Sequence, residues 1–145
     1  MRMKVSFSLP RIPQTVAAAR TLLDGIFRSL GVRADCREEI AVAVSEACGN
    51  AVRHASGPTQ YHLAVATEGS DCTIEVSDEG PGLGGPVAQT MPAADAVSGR
   101  GFALMRACTD RVELRGRPGG GLSVVLFKRL RWCDGAIGSP PAQVS

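Results

Sequence analysis

The sequence predicts a single α+β domain, a sandwich of a mixed, mostly antiparallel β-sheet with helices on one face. Three observations predict it. The chain has 145 residues and is 44% hydrophobic, enough for one sizeable core and too short for two ordinary domains. Its two-residue-period segments come in pairs joined by short polar turns, as in hairpins. Its helical segments are grouped instead of alternating with every strand, which argues against a doubly wound fold.

Each element follows from local pattern. Val5, Phe7 and Leu9 alternate with Lys4, Ser6 and Ser8, a strand that Pro10 ends. Between Gln14 and Leu30 the apolar positions Val16, Ala19, Leu22, Leu23, Ile26, Phe27 and Leu30 recur at steps of three and four, giving an amphipathic helix closed by Gly31. Asp35 is the expected cap of a second helix running to about His54. Glu38 and Glu39 sit early in it, where negative charge suits the helix dipole, and Ser56-Gly57-Pro58 stops it. Tyr61 to Thr67 and Cys72 to Ser77 read as a hairpin around Gly69. From Asp78 to Arg100 the composition turns to Gly, Pro, Ala and Ser, too long for a simple connection and suited to a functional loop or lid. Phe102 to Thr109 reads as a short helix. Val112 to Arg115 and Leu122 to Lys128 read as two strands around Arg117-Pro118-Gly119-Gly120-Gly121. The domain is expected to occupy 1–132, with a disordered tail over 133–145.

Composition excludes several functions. A net charge of +2 offers no concentrated basic surface, so no direct nucleic-acid partner is expected. The cysteines, Cys36, Cys48, Cys72, Cys108 and Cys133, are odd in number and widely spaced, which suits neither a zinc site nor a disulfide framework. Reduced thiols in apolar stretches suit a cytoplasmic location. Pro10 and Pro13 interrupt the segment after Arg2 and Lys4 before a signal-type apolar region forms. No apolar run approaches the roughly 20 residues of a spanning helix, so no membrane segment is expected.

Three constellations carry chemistry. On the second helix Glu46, Asn50 and His54 follow at steps of four and share one face. An amide oxygen there can ligate a hard cation such as Mg2+ without adding charge, while a carboxylate one turn away can accept a proton from an attacking hydroxyl. In Val76-Ser77-Asp78-Glu79-Gly80-Pro81-Gly82 an acidic residue leaves a strand into a glycine turn. Its carboxylate can accept from an exocyclic amino group such as adenine's, and the bare glycines let a base or phosphate approach the backbone. In Ser98-Gly99-Arg100-Gly101-Phe102 glycines precede a helix whose first N–H groups can hold phosphate, with Arg100 adding charge.

In this order and spacing the three resemble the GHKL ATPase superfamily, and within it the anti-sigma serine kinases that act by partner switching. Ser45 to Ala55 is similar to that family's N-box, Asp78 to Gly82 to its first glycine box and Gly99 to Met105 to its second. Asp110 to Leu114 and the strand ending at Lys128 also fit, so the resemblance covers about Val5 to Lys128. It implies a Bergerat-type ATP-binding fold with ATP and Mg2+ as cofactors. Asn50 would ligate the metal, Glu46 would be the general base, and Asp78 would bind the adenine amino group. Gly80, Gly82, Gly99 and Gly101 would shape the nucleotide loops, with Arg100 near the phosphates. The implied partners are a sigma factor and an anti-sigma-factor antagonist phosphorylated on serine or threonine, with Arg20 contacting both, and a second copy of the chain in a homodimer.

Phe102 stands where the family usually has leucine, Leu122-Ser123 replaces a threonine pair, and the lid over 83–98 lacks obvious basic residues. These departures bear on catalytic rate more than on fold. Two other readings compete: an ATP-dependent binding protein without catalysis, and a detached histidine-kinase catalytic domain acting in trans. The compact length and the lack of an extended lid or dimerising helical segment argue against the second. His54 and His62 read as structural, and Lys128, Arg129 and Arg131 as a solvated chain end.

Overall fold

The computed structural model describes residues 1–54, 60–78, 99–116 and 121–141. The elements in order are β1 (Arg2–Pro10), α1 (Gln14–Leu30), α2 (Ala34–His54), β2 (Gln60–Glu68), β3 (Asp71–Asp78), α3 (Gly99–Cys108), β4 (Arg111–Gly116) and β5 (Leu122–Arg129). The expected α+β layering holds. One five-stranded sheet has the order β1-β2-β3-β5-β4, and every pairing among the described strands is antiparallel, so the sheet is simpler than the mixed one anticipated.

The strand period sorts side chains cleanly. Leu63 and Val65 of β2, Ile74 and Val76 of β3, and Val124 and Leu126 of β5 face the helices and are buried. The opposite face carries rows such as Ser6–Ala64–Glu75–Val125–Glu113, read directly from the register. Helix α1 buries Thr15, Ala19, Leu23 and Phe27, a four-residue step, whereas Leu22 from the broader apolar set remains 44% exposed. Helix α2 buries Cys36, Ile40, Ala43, Val44, Ala47 and Cys48. Its first helical hydrogen bond, Arg37 N–H to Arg33 carbonyl, places the start one residue before the expected cap, and Asp35 instead accepts from the Cys36 N–H at 2.8 Å.

Two ion-pair groups lock these layers. Asp24 of α1 receives Arg37 of α2 at 2.7 Å and Arg28 at 3.1 Å. Lys128, expected at a solvated chain end, is instead only 6% exposed: its Nζ donates to Glu39 Oε1 at 2.9 Å and to the Cys108 carbonyl at 2.8 Å. Arg131 reaches the same Glu39 oxygen at 2.6 Å. Hydrogen bonds from Arg131 and Lys128 hold the Glu39 carboxyl below its ordinary value of 4.5. Because the folded value is depressed, this contribution to stability is complete above the unfolded value and lost as pH falls through the folded one. Glu39→Gln is therefore expected to destabilise the fold at neutral pH by about 2 kcal/mol, less than for a fully buried pair because Glu39 keeps part of its hydration. Urea denaturation at pH 7 and pH 3 checks it: the gap between wild type and variant should narrow at the lower pH.

The stretch expected as a disordered tail begins with residues 133–141, whose backbone makes contacts with the domain. Trp132 bridges to Val32 and donates to Ser70 Oγ at 2.9 Å. Cys133 N–H bonds the Gly31 carbonyl, and Gly138 N–H bonds the Leu30 carbonyl. Small residues make this possible: Gly138 lies against the Trp132 ring, and Ala136 lies against Gly31. Gly31 itself has φ +93°, so its missing side chain serves both the left-handed cap of α1 and the seat of the tail. Gly31→Ala should cost about 1 to 2 kcal/mol, visible as a lowered thermal midpoint.

Candidate functional site

The expected site residues come from three elements, and the fold brings the described ones toward one end of the helix layer. Helices α2 and α3 pack against each other, and Lys128 joins Glu39, near the start of α2, to Cys108, the last residue of α3, so the two run antiparallel. The ten residues of α3 rise about 15 Å, and α2 rises about 16 Å from Glu39 to Asn50. The glycine-bearing start of α3 therefore lies toward the Asn50 half of α2. Asp78 ends β3, and its pairing with Tyr61, a buried helix-facing residue, puts it on the same side of the sheet as α2.

On α2, Glu46 is half-buried and accepts no hydrogen bond among the described residues. Asn50 is buried. Its Oδ1 accepts from Arg53 Nη2 at 2.8 Å, while its Nδ2 is enclosed without a hydrogen-bond partner among the described residues. A buried donor left unpaired costs about 1–3 kcal/mol, and an acceptor such as a phosphate oxygen would satisfy it. The Asn50 oxygen already accepts from a cationic group. These two atoms fit a metal-nucleotide.

Asp78 Oδ1 accepts from the Leu122 N–H at 3.0 Å. A carboxylate has about four acceptor positions, so this bond orients the group without exhausting it. It also gives Leu122 a role that depends on its backbone and not on the hydroxyl of a threonine. Ser123 beside it is buried opposite Ser77.

Gly99 and Arg100 are exposed in the first turn of α3, and Gly101 is buried. A β-carbon at Gly99 would meet nothing within 4 Å among the described residues. Gly80, Gly82 and the 83–98 lid lie outside the described residues, as does the side chain of His54.

Beneath the site lies a polar seam. Thr15 Oγ1 and the Tyr61 hydroxyl are 2.9 Å apart, and the Cys48 thiol is buried beside Tyr61. Burial pushes Tyr61 and Cys48 each up to about 12, so both stay protonated and neutral. Tyr61 thereby links the α2 turn between Glu46 and Asn50 to the strand paired with Asp78. His62 behaves as a structural residue, with Nδ1 at 2.9 Å from Ser8 Oγ. Arg20 is exposed on α1 and donates to Ser45 Oγ at 3.1 Å, next to Glu46 in sequence.

Sequence reasoning missed Arg53 and Tyr61. The spacing of three between Asn50 and Arg53 marks them as neighbours on one helix face and was a usable signal. Nothing local marks Tyr61, whose partners are distant in sequence.

The profile of the histidine kinase-like ATPase domain matches residues 9–128. Among curated relatives, the serine-protein kinase RsbW of Bacillus licheniformis is 28% identical over 144 residues, covering 90% of each chain. The anti-sigma F factor of Pasteuria penetrans is 29% identical over 140 residues, covering 90% of this chain and 91% of its own. Among solved structures, the RsbU and RsbW domains of Rv1364c from Mycobacterium tuberculosis superpose with a TM-score of 0.68 at 20% identity. That match covers 88% of this chain and 32% of the other.

Proposed function

The chain belongs to the histidine kinase-like ATPase domain family, and from that premise we propose that it is an ATP-dependent protein serine/threonine kinase that also acts as an anti-sigma factor. The single observation that carries this reading is the gathering of Glu46, Asn50, Asp78 and the start of α3 on the helix side of the sheet. The relatives named as serine-protein kinase and anti-sigma F factor support it along most of their length.

In this reading Asp78, oriented by the Leu122 N–H, accepts from the adenine amino group. Asn50 offers its oxygen to Mg2+ and its unpaired Nδ2 to a phosphate oxygen. The metal, when bound, supplies neutralisation of phosphate charge. The N–H groups at the start of α3, with Gly99, Arg100 and Gly101, hold phosphate from the other side, and Gly80 and Gly82 shape the first nucleotide loop. Glu46, accepting no hydrogen bond among the described residues, takes the proton of a serine or threonine hydroxyl as its oxygen attacks the terminal phosphorus and ADP leaves.

The substrate is an anti-sigma-factor antagonist protein, and its phosphorylation frees this chain to hold its sigma factor. Arg20, exposed beside Ser45, presents a charge to both partners. The chain works in the cytoplasm as a homodimer. Its five free cysteines suit the reducing compartment, and among the described residues no helix is long and apolar enough to cross a membrane.

The test is incubation of the purified chain with terminally labelled ATP, Mg2+ and cytosolic protein from its own source. Label should appear on serine or threonine of a small protein. Retention of a sigma factor with ATP but no label on any protein would favour the non-catalytic binding reading instead.

A further inference from the structure

Asn50 is gripped by a residue that the proposed chemistry does not use. Arg53 follows it by three positions on α2, and Arg53 Nη2 donates to Asn50 Oδ1 at 2.8 Å. The same guanidinium lies close over the bare backbone of Gly49, where a β-carbon would stand 3.0 Å from Nη1. A guanidinium carries only donors, so the Asn50 atom that faces it is the oxygen. The amide nitrogen therefore points away from it and is the buried donor without a partner among the described residues.

We propose that Arg53 is a stand-in for the divalent cation: it holds the Asn50 oxygen in the metal-free protein and gives it up when metal-nucleotide enters. Arg53 thus sets how strongly nucleotide binding depends on metal. The inference rests on the reading of Asn50 as a metal ligand.

The physics is a competition for one oxygen. Guanidinium and Mg2+ both seek a position within hydrogen-bond or coordination distance of the same carbonyl. Two positive centres crowded on one acceptor repel each other, so the oxygen cannot serve both at once. Arg53 is the partner able to leave, because the residue is exposed while Asn50 is buried.

Two consequences act in the same direction. With metal present, breaking the Arg53–Asn50 bond subtracts from metal-nucleotide affinity. With metal absent, the tethered guanidinium supplies part of the missing positive charge and keeps some nucleotide bound. Removing Arg53 should therefore strengthen binding in metal and weaken it without metal.

The experiment measures the Kd of ADP by calorimetry on the full chain, in excess Mg2+ and in excess EDTA, for wild type, Arg53→Ala and Arg53→Lys. The ratio of the EDTA value to the Mg2+ value should rise about tenfold in Arg53→Ala, the scale of one charge-assisted hydrogen bond. Arg53→Lys keeps the charge without the planar fork and should show a smaller rise in the same direction. A residue that merely positioned Asn50 for the metal would have the opposite signature, a ratio that falls on removal. A ratio unchanged or lowered in both variants, in a protein whose wild type binds ADP, overturns the inference and leaves the nucleotide reading intact. Wild type that binds no nucleotide in either condition overturns that reading itself.

Discussion

Glu46→Gln is expected to lower phosphate transfer by at least about 100-fold while leaving ATP affinity within a factor of about two. The glutamine keeps the length and polarity of the side chain but cannot take a proton from the attacking hydroxyl. Glu46 accepts no hydrogen bond among the described residues, so the change breaks no described polar contact and should leave the thermal midpoint almost unmoved. Transfer is measured with the labelled substrate protein, and affinity by titration with ATP. Transfer that persists in the variant assigns the base elsewhere, and lost affinity means that Glu46 binds instead of reacting.

The second large effect is at Asp78, where structural and recognition roles can be separated. Asp78→Ala removes the acceptor of the Leu122 N–H and should lower both stability, by about 1 to 2 kcal/mol, and ATP affinity. Asp78→Asn keeps an oxygen for Leu122 but turns an amide NH2 group toward the place of the adenine amino group, donor against donor. ATP affinity should fall tenfold or more, with the unfolding midpoint close to wild type. Guanine has an acceptor where adenine has its amino group, so the preference for ATP over GTP should shrink or reverse. Competition between the two nucleotides reads this directly. Equal loss of both would mean that Asp78 shapes the site without reading the base.

Much of the architecture was legible because its signals are local. Helix α1 runs from Gln14 to Leu30, as expected, between Pro13 and the left-handed Gly31. The strands were each found but extend one or two residues further. Their ends are residues such as Arg2, Glu68, Asp71 and Arg129, which carry no apolar alternation yet pair across the sheet, Arg2 with Glu68 at 3.8 Å and Arg129 with Asp71 at 3.4 Å. The helix motif of the site was legible for the same reason: Glu46 and Asn50 lie one turn apart.

What was not legible depends on contacts between distant positions. Lys128 looks like part of a basic chain end because its carboxylate partner lies at Glu39, far back in the sequence. The tail looks polar and loose, and only the fold reveals that Gly31 and Gly138 leave room to seat Ala136 and the Trp132 ring. The antiparallel course of α2 and α3, which turns the glycine-bearing end of one toward Asn50 on the other, follows from tertiary packing alone. The sequence marks the Asp78 carboxylate as an acceptor for adenine, but the Leu122 N–H that orients it lies far along the chain.

Binding of Mg-ATP against Asn50 is tested by titrating wild type and Asn50→Ala with ATP, in Mg2+ and again in EDTA. Saturable binding by wild type is expected in Mg2+, about tenfold or more weaker in Asn50→Ala, with a smaller difference between the two proteins in EDTA, where the Nδ2 contact to phosphate is lost but no metal contact is. Undiminished Mg-ATP affinity in Asn50→Ala, or no saturable binding by wild type, would contradict it.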